Sequence, residues 1–154
     1  MQQDERPISL KISIAARMLT KRFDHRAKKI GVTAAQWRTI AAVKRLEGAT
    51  QRRIAAMLEV GDVTAGRLID RLCADGWVER RPDPEDRRAH RIFMTPAARP
   101  VLERLGALGA DEEARAFRGI SPDDLVKFDD VLGRIMANLA TSADAVPREE
   151  EALI

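Results

Sequence analysis

The stretch TQRRIAAMLEVGDVTAGRLIDRLCADGWVERRPDPEDRRAHRIFMT, residues 50–95, sets two short helices, a tight break and a hairpin in direct succession. Thr50 is a helix N-cap residue type, and Ile54, Ala55 and Leu58 follow at helical spacing. The run EVGDV (59–63) turns the chain and contains glycine, as the corner of a helix-turn-helix requires. Gly61 and Asp62 open the next helix, where Ala65, Leu68, Ile69 and Leu72 form an apolar stripe that ends at Gly76. The runs WVERR and HRIFMT then have the β-branched and aromatic character of strands. Between them Pro82 and Pro84 restrict the backbone, while Asp83 and Asp86 offer carboxylates to nearby amides. A hairpin placed directly after the second helix of such a pair is a wing. The expected fold is mainly α with a small β-hairpin: a winged helix-turn-helix core.

Working outward, residues 8–30 read as a first helix, with Ile12, Leu19, Phe23 and Ile30 on one side and Leu10, Ile14 and Met18 on a neighbouring side. Lys28 and Lys29 in its last turn and Gly31 after it make a C-terminal signature. Thr33 and Gln36 form a Thr-x-x-Gln capping box that opens a second helix through Leu46. Downstream, Thr95 and Pro96 open a fifth helix through about Phe117, which Pro100 should bend near its start. Ser121-Pro122-Asp123-Asp124 repeats that opening for a sixth, with Leu125, Phe128, Leu132, Ile135, Met136 and Leu139 apolar. The first, fifth and sixth helices lie outside the winged core, and at least two carry apolar surface on more than one side. A second copy is the expected sink for that surface, giving a twofold dimer built from the chain's two ends. The expected organisation is an N-terminal dimerisation helix (1–32), a winged helix-turn-helix DNA-binding domain (33–95), C-terminal dimerisation helices (96–141) and an acidic, disordered tail (142–154).

Composition narrows the function classes. The 154 residues carry 27 Lys and Arg against 24 Asp and Glu, a net charge of +3 that permits a nucleic-acid partner without demanding one. Local balance is stronger: Arg17, Lys21, Arg22, Arg26, Lys28 and Lys29 face one acid, Asp24. The single cysteine, Cys73, excludes an internal disulfide and a multi-cysteine zinc site. The absence of a bilayer-length apolar run and of a signal-peptide pattern makes a soluble cytoplasmic protein the default, with no membrane partner. With two histidines, no tyrosine, no His-Glu-x-x-His and no glycine-rich phosphate loop, the chain shows no catalytic constellation; no enzyme activity, cofactor or metal is expected.

Double-stranded DNA is the partner that the arginines point to. The second helix of a helix-turn-helix lies in the major groove and its early residues reach base edges. Here these are Asp62, Val63, Thr64, Gly66, Arg67 and Arg71. Arg67 either forks onto guanine O6 and N7 or is a surface arginine paired with Asp70 or Asp75. Gly66 costs about 1 kcal/mol of helix propensity, which points to a steric reason such as close approach to the groove. Gln51, Arg52 and Arg53 open the preceding helix, where amides and cations suit phosphate, although a solvated face reads almost the same. On the wing, Arg87 and Arg88 are placed to enter the minor groove, Asp86 to fix one guanidinium beside it, and His90 and Arg91 to pass the DNA backbone. A winged helix used only for protein contacts is the alternative. Cys73, four residues after Ile69, reads as a small core residue ahead of a redox sensor.

These residues resemble the multiple antibiotic resistance regulator (MarR) family, and most of all its SlyA-like branch. The likeness runs through FDHRAKKIGVTAAQW (23–37), RLIDRLCADGWVERRPDPEDRRAHRIFMT (67–95) and GISPDDL (119–125), and its most specific mark is the Asp-x-Arg of the wing, Asp86 and Arg88. The resemblance implies a homodimeric transcriptional regulator, a repressor or anti-silencer, that binds pseudo-palindromic operators and is released by a small aromatic acid. By position it makes Arg67 the base-contacting arginine and Arg88 the minor-groove arginine. The run DVTAG (62–66) departs from the family's bulkier or hydroxyl residues, so operator preference does not carry over. The family's ligand crevice maps onto Arg17, His25, Gln36 and Trp37. There Arg17 would hold a carboxylate and Trp37 stack on a ring; alternatively Trp37 is core and Arg17 pairs at the dimer interface.

Overall fold

The computed structural model describes residues 5–86 and 88–141. Helix α1 spans Ile8–Lys29, α2 Ala34–Arg45, α3 Gln51–Met57 and α4 Asp62–Ala74. Strands β1 (Val78–Pro82) and β2 (His90–Met94) form the hairpin, and α5 (Arg99–Ala116) and α6 (Pro122–Thr141) follow. The mainly helical fold with one antiparallel hairpin is the one the sequence predicts. The acidic tail from 142 onward and Arg87 lie outside the described residues.

Local chemistry accounts for most boundaries. Gly31 takes φ +81° after α1, a left-handed step that other residues make at a cost. The capping box forms: Thr33 Oγ1 accepts from the Gln36 amide, while Gln36 Oε1 accepts from the Thr33 amide at 2.9 Å. Thr50 caps α3 through the Arg53 amide. At the corner between α3 and α4, Gly61 is the N-cap at φ −67° and Asp62 opens α4, as expected, while the left-handed residue is Glu59 (φ +54°). Thr95 also departs from its expected capping role. Its hydroxyl donates to the Gly76 carbonyl at 2.5 Å, and a 3₁₀ turn, Pro96–Ala98, precedes α5. The break expected near Pro100 is thus a change of helix type, with Pro100 in the first turn, where its missing N–H leaves no bond unmade.

The core gathers where α2, α3, α4, β2 and α5 converge. Ile40, Val43, Ile54, Ile69, Leu72, Ile92 and Val101 are all buried. Leu68 is only half-buried, so the inward stripe of α4 is carried by Ala65, Ile69 and Leu72. The hairpin pairs Val78 with Met94 and Pro82 with His90. A third segment lies beside it: the Gly48 amide donates to the Ile92 carbonyl at 2.8 Å, and the Ile92 amide donates to the Ala49 carbonyl at 3.0 Å. The chain entering α3 therefore ties the wing to the helix-turn-helix.

The outer helices are different. In α1 only Ala27 is buried, and α6 has no buried residue. Leu10 and Met18 on α1 and Phe128, Val131, Met136 and Leu139 on α6 are exposed.

Candidate nucleic-acid interface

Arginines at the α4–wing edge fall into two groups. Arg80, Arg81 and Arg91 are engaged by acids of the fold. Arg80 donates to Asp70 Oδ1 at 2.6 Å and also lies 3.4 Å from both Gln51 Oε1 and the Gly66 carbonyl. One guanidinium therefore joins β1, α3 and α4. Arg81 pairs with Glu79 and lies over the Phe93 ring, 4.3 Å from its centre. Arg91 Nε donates to Asp83 Oδ2 at 2.7 Å. Arg52, Arg53, Arg67, Arg71 and Arg88 are exposed, and their side chains have no ion-pair or hydrogen-bond partner among the described residues.

This sorting takes Asp70 and Asp75 away from Arg67 as ion-pair partners. Asp70 is taken by Arg80, and Asp75 accepts from Gln36 Nε2 at 2.9 Å. Arg67 and Arg71 stand one turn apart on the exposed side of α4, with Asp62, Val63 and Thr64 exposed at its start. Gly66 has an internal steric reason: a Cβ there would lie 3.1 Å from Gln51 Nε2. That Gln51 amide donates to the Asp62 carbonyl at 3.2 Å, so Gln51 braces the α3–α4 corner.

In the wing Asp86 acts on the backbone. Its Oδ1 accepts from the Arg88 backbone amide at 2.9 Å, so it shapes the turn and holds no guanidinium among the described residues. Asp83 does the fixing. Its carboxylate is buried, taking the Glu85 and Asp86 amides on Oδ1 and Arg91 on Oδ2. The sequence reasoning missed both Asp83 and Arg80 as organisers. Strand alternation held a signal for Arg80, which shares a sheet face with buried Val78. His90 is exposed opposite Pro82, and Arg91 is drawn partly into the fold.

The Glu85 amide, aided by Arg91 and the Asp86 amide, holds the Asp83 carboxyl below the usual carboxylate range against the opposing effect of burial. A depressed folded value means that the ionised form stabilises the fold. That contribution is complete above the unfolded value, about 3.9, and disappears as pH falls through the lower folded value. Asp83→Asn should therefore be less stable than the parent at neutral pH, with the gap closing in acid. Urea unfolding at pH 7 and in steps below about pH 4 measures it; a gap independent of pH would contradict the assignment.

The crevice residues Arg17, His25, Gln36 and Trp37 differ in how far the fold engages them. Trp37 Nε1 donates to Asp24 Oδ1 at 2.8 Å, its ring packs edge-on to Phe23, and Arg38 lies 5.5 Å from its centre. Gln36 is engaged by the capping box and Asp75. Arg17 and His25 are exposed. Cys73 is half-buried against the core, and burial pushes its thiol up, partly offset by Arg80. Among the described residues no group of three His, Cys, Asp or Glu is placed to hold a metal, and no helix is long and apolar enough to cross a membrane.

Comparison with known proteins agrees with this architecture. Residues 30–89 match the MarR family. The transcriptional regulator PA3341 is 29% identical and superposes with a TM-score of 0.75, over 88% of this chain and 100% of its own. Wild-type MarR from E. coli, in its apo form, shares the fold at 21% identity and a TM-score of 0.78, over 87% of this chain and 99% of its own. A MarR family regulator from Listeria monocytogenes, solved with 26mer DNA, shares it at 18% identity and 0.72, over 88% and 90%. Residues 30–89 are thus similar to the MarR family, in a chain that shares the fold of these solved regulators.

Proposed function

We propose that the chain is a homodimeric, sequence-specific DNA-binding transcriptional regulator of the cytoplasm, within the SlyA-like branch. Helix α4 enters the major groove with Arg67 on a base edge, α3 meets phosphate through Arg52 and Arg53, and Arg88 of the wing enters the minor groove. The observation that carries this reading is the sorting of arginines. Those that hold the wing to α4 are paired with carboxylates, and those at the two outward edges are left free. An arginine without a partner breaks no ion pair when it is redirected onto DNA. Residues 33–95 supply the reader, while 1–32 and 96–141 join two copies through the exposed apolar residues of α1 and α6. Repression of a pseudo-palindromic operator, relieved by a small aromatic acid near Arg17 and His25, completes the proposal. Such an acid acts only by favouring one spacing of the recognition helices over another.

Selection from random DNA should return two half-sites about 34–36 Å apart. Anisotropy titrations of the selected duplex should lose affinity with salt at a slope of about −0.9 per phosphate neutralised. Light scattering should report twice the 17.2 kDa chain mass. Salt-insensitive binding would favour a protein-contact module instead, and a monomer would remove the dimer.

A further inference from the structure

The basic run from Arg17 to Lys29 has no part in the DNA contacts above. Its one acid, Asp24, is engaged by Trp37 and Arg38 of α2. Lys21, Arg22, His25, Arg26 and Lys29 recur at i, i+1, i+4, i+5 and i+8, which puts them on one side of α1. Together with Glu112 and Arg115 of α5 they line a groove of about 510 Å³. That volume falls within the range of roughly 300–1,000 Å³ found for small-molecule sites.

The lining is built around a buried acid. The Glu112 side chain is 6% exposed; its Oε2 accepts from Arg22 Nε at 2.7 Å and its Oε1 from Arg26 at 2.7 Å. Asp111 takes Arg26 and Arg115. Both carboxyls lie below their usual range, Glu112 because of Arg22 and Arg26, Asp111 because of Arg26 and Arg115, so both stay charged. Even so, the five cations Lys21, Arg22, Arg26, Lys29 and Arg115 outnumber these two acids. Arg22 is bound through Nε, which leaves both terminal nitrogens for a ligand. Lys21 and Lys29 have no partner among the described residues. Two arginines fixed in place, flanked by two free lysines, form a preorganised cationic cleft.

The geometry points to a binding site in the α1–α5 groove for a small multivalent oxyanion, bearing phosphoryl or carboxylate groups. Guanidinium forks match both groups in shape and charge. The groove is walled by two helices and shares no residue with the α3, α4 and wing surface, so a compact anion suits it better than a duplex. The inference stands independently of the DNA-binding proposal.

Calorimetric titration at fixed ionic strength tests it, with pyrophosphate in one arm and citrate in the other. Saturable binding at one site per chain is expected for at least one probe, and the preferred arm identifies the chemistry. The double variant Lys21→Gln/Lys29→Gln removes exposed, unpaired cations and should stay folded, yet bind about tenfold or more weakly. Arg52→Gln/Arg53→Gln, on α3, should bind the probe as the parent does. No saturable heat from either probe would overturn the site, as would equal losses in both variants. So would parallel loss of duplex affinity in the lysine variant, which would make the groove a track for DNA phosphate. Failure of duplex binding in the parent, with pyrophosphate binding intact, would sink the DNA-binding proposal alone.

Discussion

Truncating Leu72 to alanine is expected to lower the unfolding free energy by about 2–5 kcal/mol. Leu72 is fully buried in the cluster that α4 shares with α2, β1 and β2. The loss combines the transfer energy of the removed methyls with the cavity left behind, and α4 has little freedom to close that cavity. Arg80 pins it to β1 through Asp70, and the Leu72 carbonyl accepts from the Trp77 amide at 2.9 Å as the chain turns into the strand. A domain of this kind is stable by roughly 5–15 kcal/mol, so the change consumes a large share. Val63→Ala is the control: that side chain is 71% exposed on the same helix and should change stability by no more than about 0.5 kcal/mol. Urea denaturation compares them. Equal midpoints for the two variants would mean that Leu72 does not anchor α4 in the core.

Arg67→Ala should weaken binding to the selected duplex by about 1–3 kcal/mol per half-site and relax the preference at one base position. Arg88→Ala should also weaken it, through the minor groove. Neither guanidinium has a partner among the described residues, so neither variant leaves a charge stranded in the fold. Unfolding midpoints should stay at the parent value, which separates a contact effect from a folding effect. Anisotropy with the duplex provides the reading. Unchanged affinity in both variants would remove the recognition helix and the wing from the DNA contact together.

The helix boundaries were legible because their causes are local. Thr33 and Gln36 cap α2 within four residues, Thr50 caps α3, and Gly31 and Gly76 supply left-handed steps after α1 and α4. The hairpin was legible for the same reason, since its strand residues and its aspartate–amide turn lie within one short run. What was misread involved a choice between near neighbours. Asp83 and Asp86 are both turn acids, and only burial separates the one that holds Arg91 from the one that holds a backbone amide. The steric reason for Gly66 was legible as a need, but its near neighbour, Gln51, comes from another helix. For Trp37 the sequence left core and ligand roles open, and only the fold shows its indole N–H on Asp24.

By itself the sequence determined the element order, most of the caps, the wing and the surplus of arginine along the α4–wing edge. Each of these depends on residues a few positions apart, whose preferences act before any distant contact forms. Only the tertiary structure decided which arginines are spent and which are free, because that depends on acids brought from other elements: Asp70 to Arg80 across ten positions, and Glu112 to Arg22 across ninety. Pairing at that range follows from helix packing, and packing is settled by buried shape, which no local pattern of charge encodes.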